Sequence, residues 1–320
     1  MSDKLKNIEC SVVVCTYKPI WEKLRLTLKS ILMQEDCNFR IVVTDDGSEE
    51  NYFTKIKDYL DKHGFYNYEL IASPQNHGTV RNIKQGMNAC EGDYVKMISP
   101  GDFLHGKAVL RKWIDFMNKH NDCIMSFCDA IYYHIENGNI IATKEYAHPQ
   151  WADAFKEGTP VLEYIIYGDT CSGAATMLRR DDWIRYLDMM VDKVIYTEDV
   201  AYRIMLSCGE KIAHIPEKFL LYEYGTGIST NGSEKWAERI SRDFIASDDI
   251  ILSSNICDDA KCLRIDEYLK IPKNREWKNR LKRVKFSPSH LLYYIKTKIF
   301  PKTTPVEMDS DFVQQLMAPN

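Results

Sequence analysis

The chain of 320 residues is long enough to bury a substantial core, since 45 % of its residues are hydrophobic. Its 42 basic and 46 acidic residues give a formal net charge of −4, which argues against a nucleic-acid partner. The ten cysteines include no CxxC pair, which argues against a zinc cluster, and their positions inside apolar runs predict free thiols in a reducing cytoplasm. We expect no signal peptide and no membrane span, because the N-terminus is polar and no apolar run approaches the roughly 20 residues that a span requires.

The first hundred residues alternate between strand-like and helix-like patterns. Four short apolar runs are typical of strands buried on both faces: residues 10–15, 40–44, 68–73 and 94–98. Apolar residues at helical spacing predict the intervening helices: residues 21–33, 52–62 and 79–90. This order predicts an α/β fold, with a mostly parallel, Rossmann-like sheet, right-handed crossovers and helices on both faces.

The alternation weakens beyond residue 102. The patterns there predict a helix over 106–120, a hairpin turning at Asn137 and Gly138, a strand over 174–178, a helix over 198–208, a strand-rich segment over 211–224 and a long helix over 233–253. The last residues, 303–320, are predicted to be loosely held.

Residues 261–302 are rich in Lys and Arg and poor in acids. One interpretation is a solvated helical appendage. Because aromatic and aliphatic residues alternate with the basic ones, a second interpretation is a peripheral contact with the inner face of the cell membrane. A third is that these apolar residues are buried in a homo-oligomer interface.

The most informative residues follow the predicted strands. The first strand ends at Thr16, Tyr17 and Lys18, the second at Asp45 and Asp46, and the fourth at Asp102. Because ligands bind beyond the carboxyl ends of parallel strands, these three loops are expected to converge. They bring together an aromatic ring, a cation and several carboxylates.

That set of groups suits a nucleotide diphosphate. Tyr17 offers a ring for the base and Asp45 an acceptor for its ring N–H. A divalent cation held by Asp102 neutralises the diphosphate. The first turn, CTYKP, is not a glycine-rich phosphate loop, so the site is expected to use a metal rather than a backbone nest.

Transfer to a hydroxyl also needs a general base. Thr197, Glu198 and Asp199 open a predicted helix, whose N-terminus stabilises carboxylates. A weak carboxylate base is sufficient where attack on an oxocarbenium-like centre precedes proton transfer.

Four segments carry a resemblance: SVVVCTYK at 11–18, VVTDDGSEE at 42–50, NHGTVRNIKQGMNACEGDYVKMISPGD at 76–102 and TEDVAYRIM at 197–205, with a weaker match, YEYGTGIST, at 222–230. Together they make the chain similar to family 2 glycosyltransferases with the GT-A fold over about residues 9–230. The resemblance implies a nucleotide-binding half over about 9–105, an acceptor half over about 106–230 and a helical C-terminal extension over 231–320. It also implies an inverting hexosyltransferase of polysaccharide biosynthesis, which uses a nucleotide diphosphate sugar, with UDP favoured, and a saccharide or lipid-linked saccharide acceptor.

The resemblance also assigns roles. Asp199 is implied to be the catalytic base, with Glu198 assisting on the acceptor side, and Asp102 to be the ligand of Mg²⁺ or Mn²⁺. The remaining candidates are, for the nucleotide, Thr16, Tyr17, Lys18, Asp45, Asp46, Arg81, Pro100 and Gly101, and, for the sugar or acceptor pocket, Trp151, Ser172 and Gly173.

Two motifs depart from the family pattern. Ser99 and Gly101 stand where further metal-motif carboxylates are usual, and Glu223 and Gly225 stand where the late motif usually has Arg and His. These departures leave two alternatives open: a non-catalytic sugar-nucleotide-binding subunit, and a polyol-phosphate or nucleotidyl transferase on the same fold.

Simpler structural interpretations apply to each candidate. Asp45 and Asp46 fit a turn, Asp102 fits a helix cap, and the carboxylates of the 198–199 pair fit a helix dipole. Tyr17 fits an ordinary surface aromatic residue.

Overall fold

The computed structural model describes residues 7–146, 171–225, 234–253, 267–271, 276–286 and 306–319. Trp151 and most of the basic segment lie outside these residues. The described strands form one nine-stranded mixed sheet in the order β3-β2-β1-β4-β8-β6-β9-β5, with β7 paired to β6.

The first four strands are parallel, as predicted. They are β1 (Cys10–Thr16), β2 (Phe39–Asp45), β3 (Tyr68–Ala72) and β4 (Tyr94–Ile98). The helices between them are α1 (Trp21–Leu32), α2 (Phe53–Lys62) and α3 (Thr79–Met87). Thr16 pairs with Asp45 at the ends of β1 and β2, so the two loops after these strands start side by side.

The side chains of these apolar runs pack into two separate hydrophobic cores, one on each face of the sheet. Val12, Val14 and Val43 belong to the core beneath α1, whereas Val13 and Val42 belong to the core beneath α3. Because neighbouring side chains of a strand point to opposite faces, burial on both faces requires an apolar residue at nearly every position. That requirement explains the unbroken apolar runs of the sequence.

The second half extends the sheet beyond β4. Its elements are β5 (Phe103–Leu104), α4 (Val109–Lys119), β6 (Cys123–Glu136), β7 (Asn139–Tyr146), β8 (Thr176–Arg179), α5 (Arg180–Met190), α6 (Ala201–Ser207), β9 (Lys211–Glu223), α7 (Glu234–Ser253) and α8 (Trp277–Phe286). The predicted hairpin is confirmed as β6–β7. Strand β8 runs antiparallel to both β4 and β6, and β9 runs parallel to β6.

Two elements differ from the prediction. A short 3-10 helix, Gly173–Ala175, stands where the strand over 174–178 was expected to begin. Helix α5 was not predicted, although Trp183, Tyr186, Leu187 and Met190 form a buried stripe at helical spacing. The charged residues Arg180, Asp181 and Asp182 at its start obscure that stripe in the sequence.

The prediction of a loosely held C-terminus is wrong for α9 (Ser310–Met317). Its Phe312 and Leu316, one turn apart, are buried in a third apolar cluster with Leu26 and Phe103. The carboxylate of Asp309 caps the helix by accepting a 2.9 Å bond from the backbone N–H of Phe312. Four apolar residues in a segment of eight are a weak sequence signal, but two of them are buried and the other two, Val313 and Met317, pack against the cluster, so the helix docks.

Two further predictions can be compared with the described residues. The cysteines in these ranges carry thiols rather than disulfides, as predicted. No helix in the part of the chain that the structure describes is both long and apolar enough to cross a membrane.

Candidate active site

The loop after β1 and the turn after β2 form one hydrogen-bonded unit. Asp45 accepts bonds from the Thr16 hydroxyl (2.8 Å) and from the backbone N–H and hydroxyl of Ser48 (both 2.7 Å). Ser48 in turn accepts the backbone N–H of Lys18 at 2.6 Å. The two loops therefore hold each other in shape without a ligand.

Tyr17 and Asp45 differ sharply in accessibility. The Tyr17 side chain is 48 % exposed, and the Lys18 ammonium lies 5.4 Å from the centre of its ring. Asp45 is fully buried, and each of its oxygens already accepts at least one hydrogen bond. The Tyr17 ring is thus accessible to a ligand, whereas Asp45 shapes the loop that carries Tyr17.

Asp46 connects this turn to the loop before α3. Its two oxygens accept the backbone N–H groups of His77 (2.8 Å) and Gly78 (2.9 Å). Gly78 has a φ of +94°, and a Cβ there would overlap the backbone of Ile195. The backbone N–H of Val80 also donates to the Ile195 carbonyl at 3.1 Å. The loop before α3 is therefore in direct contact with the segment that leads to Glu198 and Asp199.

Arg81 points to the surface. Its guanidinium pairs with Asp192 at 2.8 Å, and both side chains are more than half exposed, so the pair adds little stability. The next residue, Asn82, is buried and donates to the carbonyls of Thr16 and Thr44 at 3.3 Å each. Sequence reasoning missed Asn82, which ties the ends of β1 and β2 together.

Residues 99–102 form a tight turn between β4 and β5. The backbone N–H of Asp102 donates to the Ser99 carbonyl at 3.0 Å, and Pro100, between them, is partly exposed. Gly101 has a φ of +103°, which favours glycine, and its N–H donates to the Thr27 hydroxyl at 3.1 Å. The turn that carries Asp102 is therefore anchored to α1.

The carboxyl group of Asp102 is buried. Burial raises its pKa from 3.8 to about 7, although a bond from the Glu223 backbone N–H and the charge of Lys96 oppose the shift. Lys96 is itself fully buried, and burial lowers its pKa to about 8. Its ammonium donates to the carbonyls of Met97 and Ala174, which links β4 to the 3-10 helix beside Ser172.

Glu223 explains one of the two departures from the family pattern. Both of its carboxylate oxygens accept bonds from the Lys23 ammonium at 2.6 Å, and its backbone N–H donates to Asp102 at 3.3 Å. A Cβ on Gly101 would meet both side chains of this ion pair. A positive charge therefore does lie beside the Asp102 turn, but α1 supplies it rather than the late motif.

Glu198 and Asp199 stand in a 3-10 helix, Glu198–Val200, that runs into α6. The predicted single helix is therefore divided into two parts. Glu198 packs so closely against Gly173 that a Cβ there would overlap its Oε1. Burial, and then the charge of Asp199, raise the pKa of Glu198 well above its ordinary value, which favours the protonated form of Glu198.

A small cavity joins these elements. It has a volume of about 30 Å³ and lies against the ends of β1 and β4, the start of α3, Gly173 and Glu198. A cavity of this size holds about one water molecule, so it marks the floor of a site rather than a complete sugar pocket. A larger cavity of about 650 Å³ between α4 and α9 includes none of these residues.

Asp243 of α7 holds the segment that precedes the carboxylate pair. One of its oxygens accepts the backbone N–H groups of Tyr196 (2.7 Å) and Thr197 (2.9 Å) and the Thr197 hydroxyl (3.0 Å), and the other accepts the N–H of Ile195 (3.1 Å). A buried carboxylate that accepts four bonds fixes this backbone firmly. Sequence reasoning missed Asp243, because it lies outside every motif.

Comparison with known proteins identifies the family. The model described as "Glycosyl transferase family 2" matches residues 11–183, which is more than half of the chain. The chain belongs to glycosyl transferase family 2. The matched residues include all the predicted donor-side loops and end before the Glu198–Asp199 pair. A search of curated proteins gives no match.

Solved structures support the GT-A fold of this family 2 glycosyltransferase. The S. aureus TarS 1-349 crystal structure has a TM-score of 0.57 and 17 % identity, and covers 92 % of this chain and 75 % of that one. Its complex with UDP-GlcNAc has a TM-score of 0.55 and 16 % identity, and the match covers 89 % of this chain and 81 % of that one. The mannosyltransferase PcManGT from Pyrobaculum calidifontis, in complex with GDP-Man and Mn2+, has a TM-score of 0.58 and 11 % identity. This match covers 94 % of this chain and 78 % of that one.

The structure brings most of the predicted residues of this glycosyltransferase to one edge of its sheet. Thr16, Tyr17, Lys18, Asp45 and Asp46 lie in loops that hydrogen-bond to one another or begin side by side. Gly173 and Glu198 meet in the small cavity. Ser172, just before Gly173, is partly buried, and its carbonyl accepts the backbone N–H of Ala175 at 2.8 Å.

The buried Asp102 makes the stability of this glycosyltransferase depend on pH. Between about pH 4 and pH 7 the folded protein holds a proton on Asp102 that the unfolded chain has released, so the free energy of unfolding falls as pH rises. An Asp102→Asn variant lacks this contribution. We compare the variant with wild type by subtracting the wild-type free energy of unfolding from that of the variant. We expect this difference to be about 2 kcal/mol higher at pH 8 than at pH 5, in the direction of a more stable variant.

Urea unfolding of both proteins at the two pH values measures this difference, and a difference that is independent of pH would contradict it. Glu198 titrates in both proteins, so its contribution cancels. Loss of the Asp102 charge lowers the pKa of Lys96 further, which changes the difference in the same direction.

Proposed function

We propose that this enzyme transfers a sugar from a nucleotide diphosphate donor, with UDP favoured, to a hydroxyl of a saccharide or lipid-linked saccharide acceptor, with inversion at the anomeric carbon. The observation that carries the proposal is the contact between the two halves of the site. Glu198, the neighbour of Asp199, packs against Gly173 and lines a small cavity together with the ends of β1 and β4. This contact supports a base and a donor site on the same edge of the sheet.

On the donor side, Tyr17 receives the base and Thr16 and Lys18 frame the ribose and phosphates. Asp45 is fully buried beneath its bonds from Thr16 and Ser48, so it accepts the ring N–H of uracil only when the Ser48 turn opens. Asp46 and Gly78 act indirectly, by fixing the neighbouring loop. Arg81 reaches the nucleotide only by leaving Asp192, and the exposure of that ion pair makes the exchange inexpensive.

The residues around Asp102 fit a metal that is shared with the substrate. Among the residues that the structure describes, no group of three or more His, Cys, Asp or Glu side chains could hold an ion alone. Mg²⁺ is commonly bound through one or two carboxylates with substrate phosphates and water completing its shell. Asp102 would hold Mg²⁺ or Mn²⁺ in this way, and the ion would neutralise charge on the departing diphosphate. The Lys23 ammonium also lies nearby, where Glu223 already neutralises it.

On the acceptor side, Asp199 takes the proton of the attacking hydroxyl. The new bond joins the acceptor oxygen to the anomeric carbon, the bond from that carbon to the diphosphate oxygen breaks, and the nucleoside diphosphate leaves. Attack from the face opposite the leaving group inverts the centre. Glu198, whose protonated form is favoured, donates a hydrogen bond on the acceptor side rather than acting as the base.

The acceptor and the location of the enzyme remain proposals. We propose that the enzyme works in the cytoplasm and that its basic segment, 261–302, meets the inner membrane face, where a lipid-linked saccharide is available. Assembly of two copies through the same segment is the competing proposal. The division at residue 230 stays a prediction.

A donor screen tests the proposed function. UDP-, GDP- and CDP-linked donors are incubated with the full chain and simple saccharides in Mg²⁺, Mn²⁺ or EDTA, and released nucleoside diphosphate is measured. We expect release from a UDP-sugar, loss of activity in EDTA and an anomer opposite to that of the donor by NMR. A product that retains a donor phosphate, or tight donor binding without turnover, would overturn the proposal.

A further inference from the structure

The start of α7 carries an aromatic and cationic cluster beside the carboxylate pair. Trp236 and Arg239 of α7 meet Tyr196, which lies three residues before Asp199. The rings of Tyr196 and Trp236 have centroids 5.0 Å apart and are nearly perpendicular. The guanidinium carbon of Arg239 lies 4.9 Å from the first ring and 4.7 Å from the second. All three side chains are partly exposed.

Arg239 differs from Arg242 on the same helix and from Arg203, which α7 contacts, because both of those arginines form ion pairs. Arg242 pairs with Glu238 at 2.7 Å, and Arg203 of α6 pairs with Asp248 at 2.6 Å. Within the described ranges, Arg239 forms no ion pair with a carboxylate. Ring stacking engages the faces of a guanidinium but leaves the N–H donors at its edge. The charge of Arg239 does act on Glu238, whose pKa Arg242 and then Arg239 lower, but the bonded partner of Glu238 is Arg242. An anion can therefore still bind at the edge of the Arg239 guanidinium.

The cluster is held at a fixed place relative to the reaction centre. Asp243, one turn after Arg239 on the same helix, binds the backbone N–H groups of Tyr196 and Thr197. The same carboxylate thus holds the backbone of Tyr196, from which the ring of the cluster extends, and the backbone that leads to Glu198 and Asp199. A ligand group bound by Arg239 would lie on the side of the site from which the base is presented.

We propose that Tyr196, Trp236 and Arg239 form an acceptor subsite for an anionic group, a phosphate or a carboxylate, on a saccharide. This inference rests on the proposed function, because it specifies the acceptor of that reaction. The rings offer rigid apolar surface to the carbon face of a sugar. The fork of Arg239 makes two parallel, charge-assisted bonds to the anion, which a lysine would not reproduce.

The test uses the full chain and three probes: methyl glucoside, its 6-phosphate, and methyl glucuronide. Their binding in the presence of UDP is measured by ligand-observed NMR at constant ionic strength. We expect one anionic probe to bind the wild type at least about tenfold more tightly than the neutral probe. A tenfold ratio corresponds to about 1.4 kcal/mol, which a charge-assisted hydrogen bond supplies. The phosphate and carboxylate arms distinguish the two sources of the anion.

Arg239→Met is expected to abolish the preference for the anionic probe, and Arg239→Lys to restore only part of it. Arg242→Met is the matched control, since it removes the same charge from the same helix but from an ion-paired site. Equal binding of all probes, or an equal loss in both Met variants, would overturn the inference.

UDP-sugar binding is measured on separate samples of the same proteins that contain no UDP. Donor binding without an Arg239-dependent preference refutes the subsite alone, whereas failure to bind any nucleotide sugar refutes the proposed function.

Discussion

Asp199→Asn is expected to lower the rate of sugar transfer by a factor of about 10² to 10⁴, the contribution that a general base typically makes. The amide has the shape of the carboxylate but cannot take the acceptor proton. Donor affinity is expected to change little, because the loops that carry Tyr17 and Asp45 are shaped by their own hydrogen bonds. The measurements are kcat/KM for transfer and calorimetric affinity for the donor.

Glu198→Gln is the informative comparison for this result. Because the pKa of Glu198 is raised well above its ordinary value, an amide there preserves its hydrogen-bond donor at pH 7. Most activity should therefore survive at pH 7. An activity loss as large as that of Asp199→Asn, or an equal loss of donor binding and transfer in the Asp199 variant, would contradict the division of roles.

Asp243→Asn is expected to lower kcat by roughly 10- to 100-fold with little change in the donor KM, the scale of effect of a misplacement of about 1 Å at a reaction centre. One oxygen of Asp243 accepts three bonds from Tyr196 and Thr197. An asparagine that kept that oxygen as acceptor would turn its NH₂ group toward the N–H of Ile195, and the neutral amide would weaken every bond. The backbone before Glu198 would then shift.

Asp248→Asn is the control variant, because it distinguishes an effect on the position of the backbone before Glu198 from an effect on the stability of the fold. Asp248 lies on the same helix and pairs with the buried Arg203 at 2.6 Å, so its loss weakens the support of a buried charge. Both variants should have a lower Tm, but only Asp243→Asn should lower kcat at a temperature where both are folded. Parallel losses of kcat would show that Asp243 merely stabilises the fold.

The donor half of this enzyme could be predicted because its signals are local. Strands buried on both faces require continuous apolar runs, and β-α-β order then fixes which loops share an edge. What each carboxylate contacts could not be predicted in the same way. Asp45 binds Thr16 and Ser48 rather than facing solvent, and that choice depends on the closing of two loops 29 positions apart.

The contacts missed by sequence reasoning join distant parts of the chain. Lys23 and Glu223 are 200 positions apart, and Asp243 lies 46 positions beyond Thr197. Pattern and propensity report neighbours along one element and do not specify such pairs. The only available signal was the acid at position 223, since a negative charge near a phosphate site requires a compensating cation.

The absence of a side chain at Gly78 has a consequence for the evolution and engineering of this enzyme. Asp46, Gly78 and Ile195 form an unbroken route from the donor-side turn to the segment of the base. The two halves are therefore not exchangeable modules. A chimera that joins the first half of one relative to the second half of another would have to inherit the glycine and its partner backbone together, or the segment that carries Glu198 and Asp199 would shift relative to the turn of Asp46.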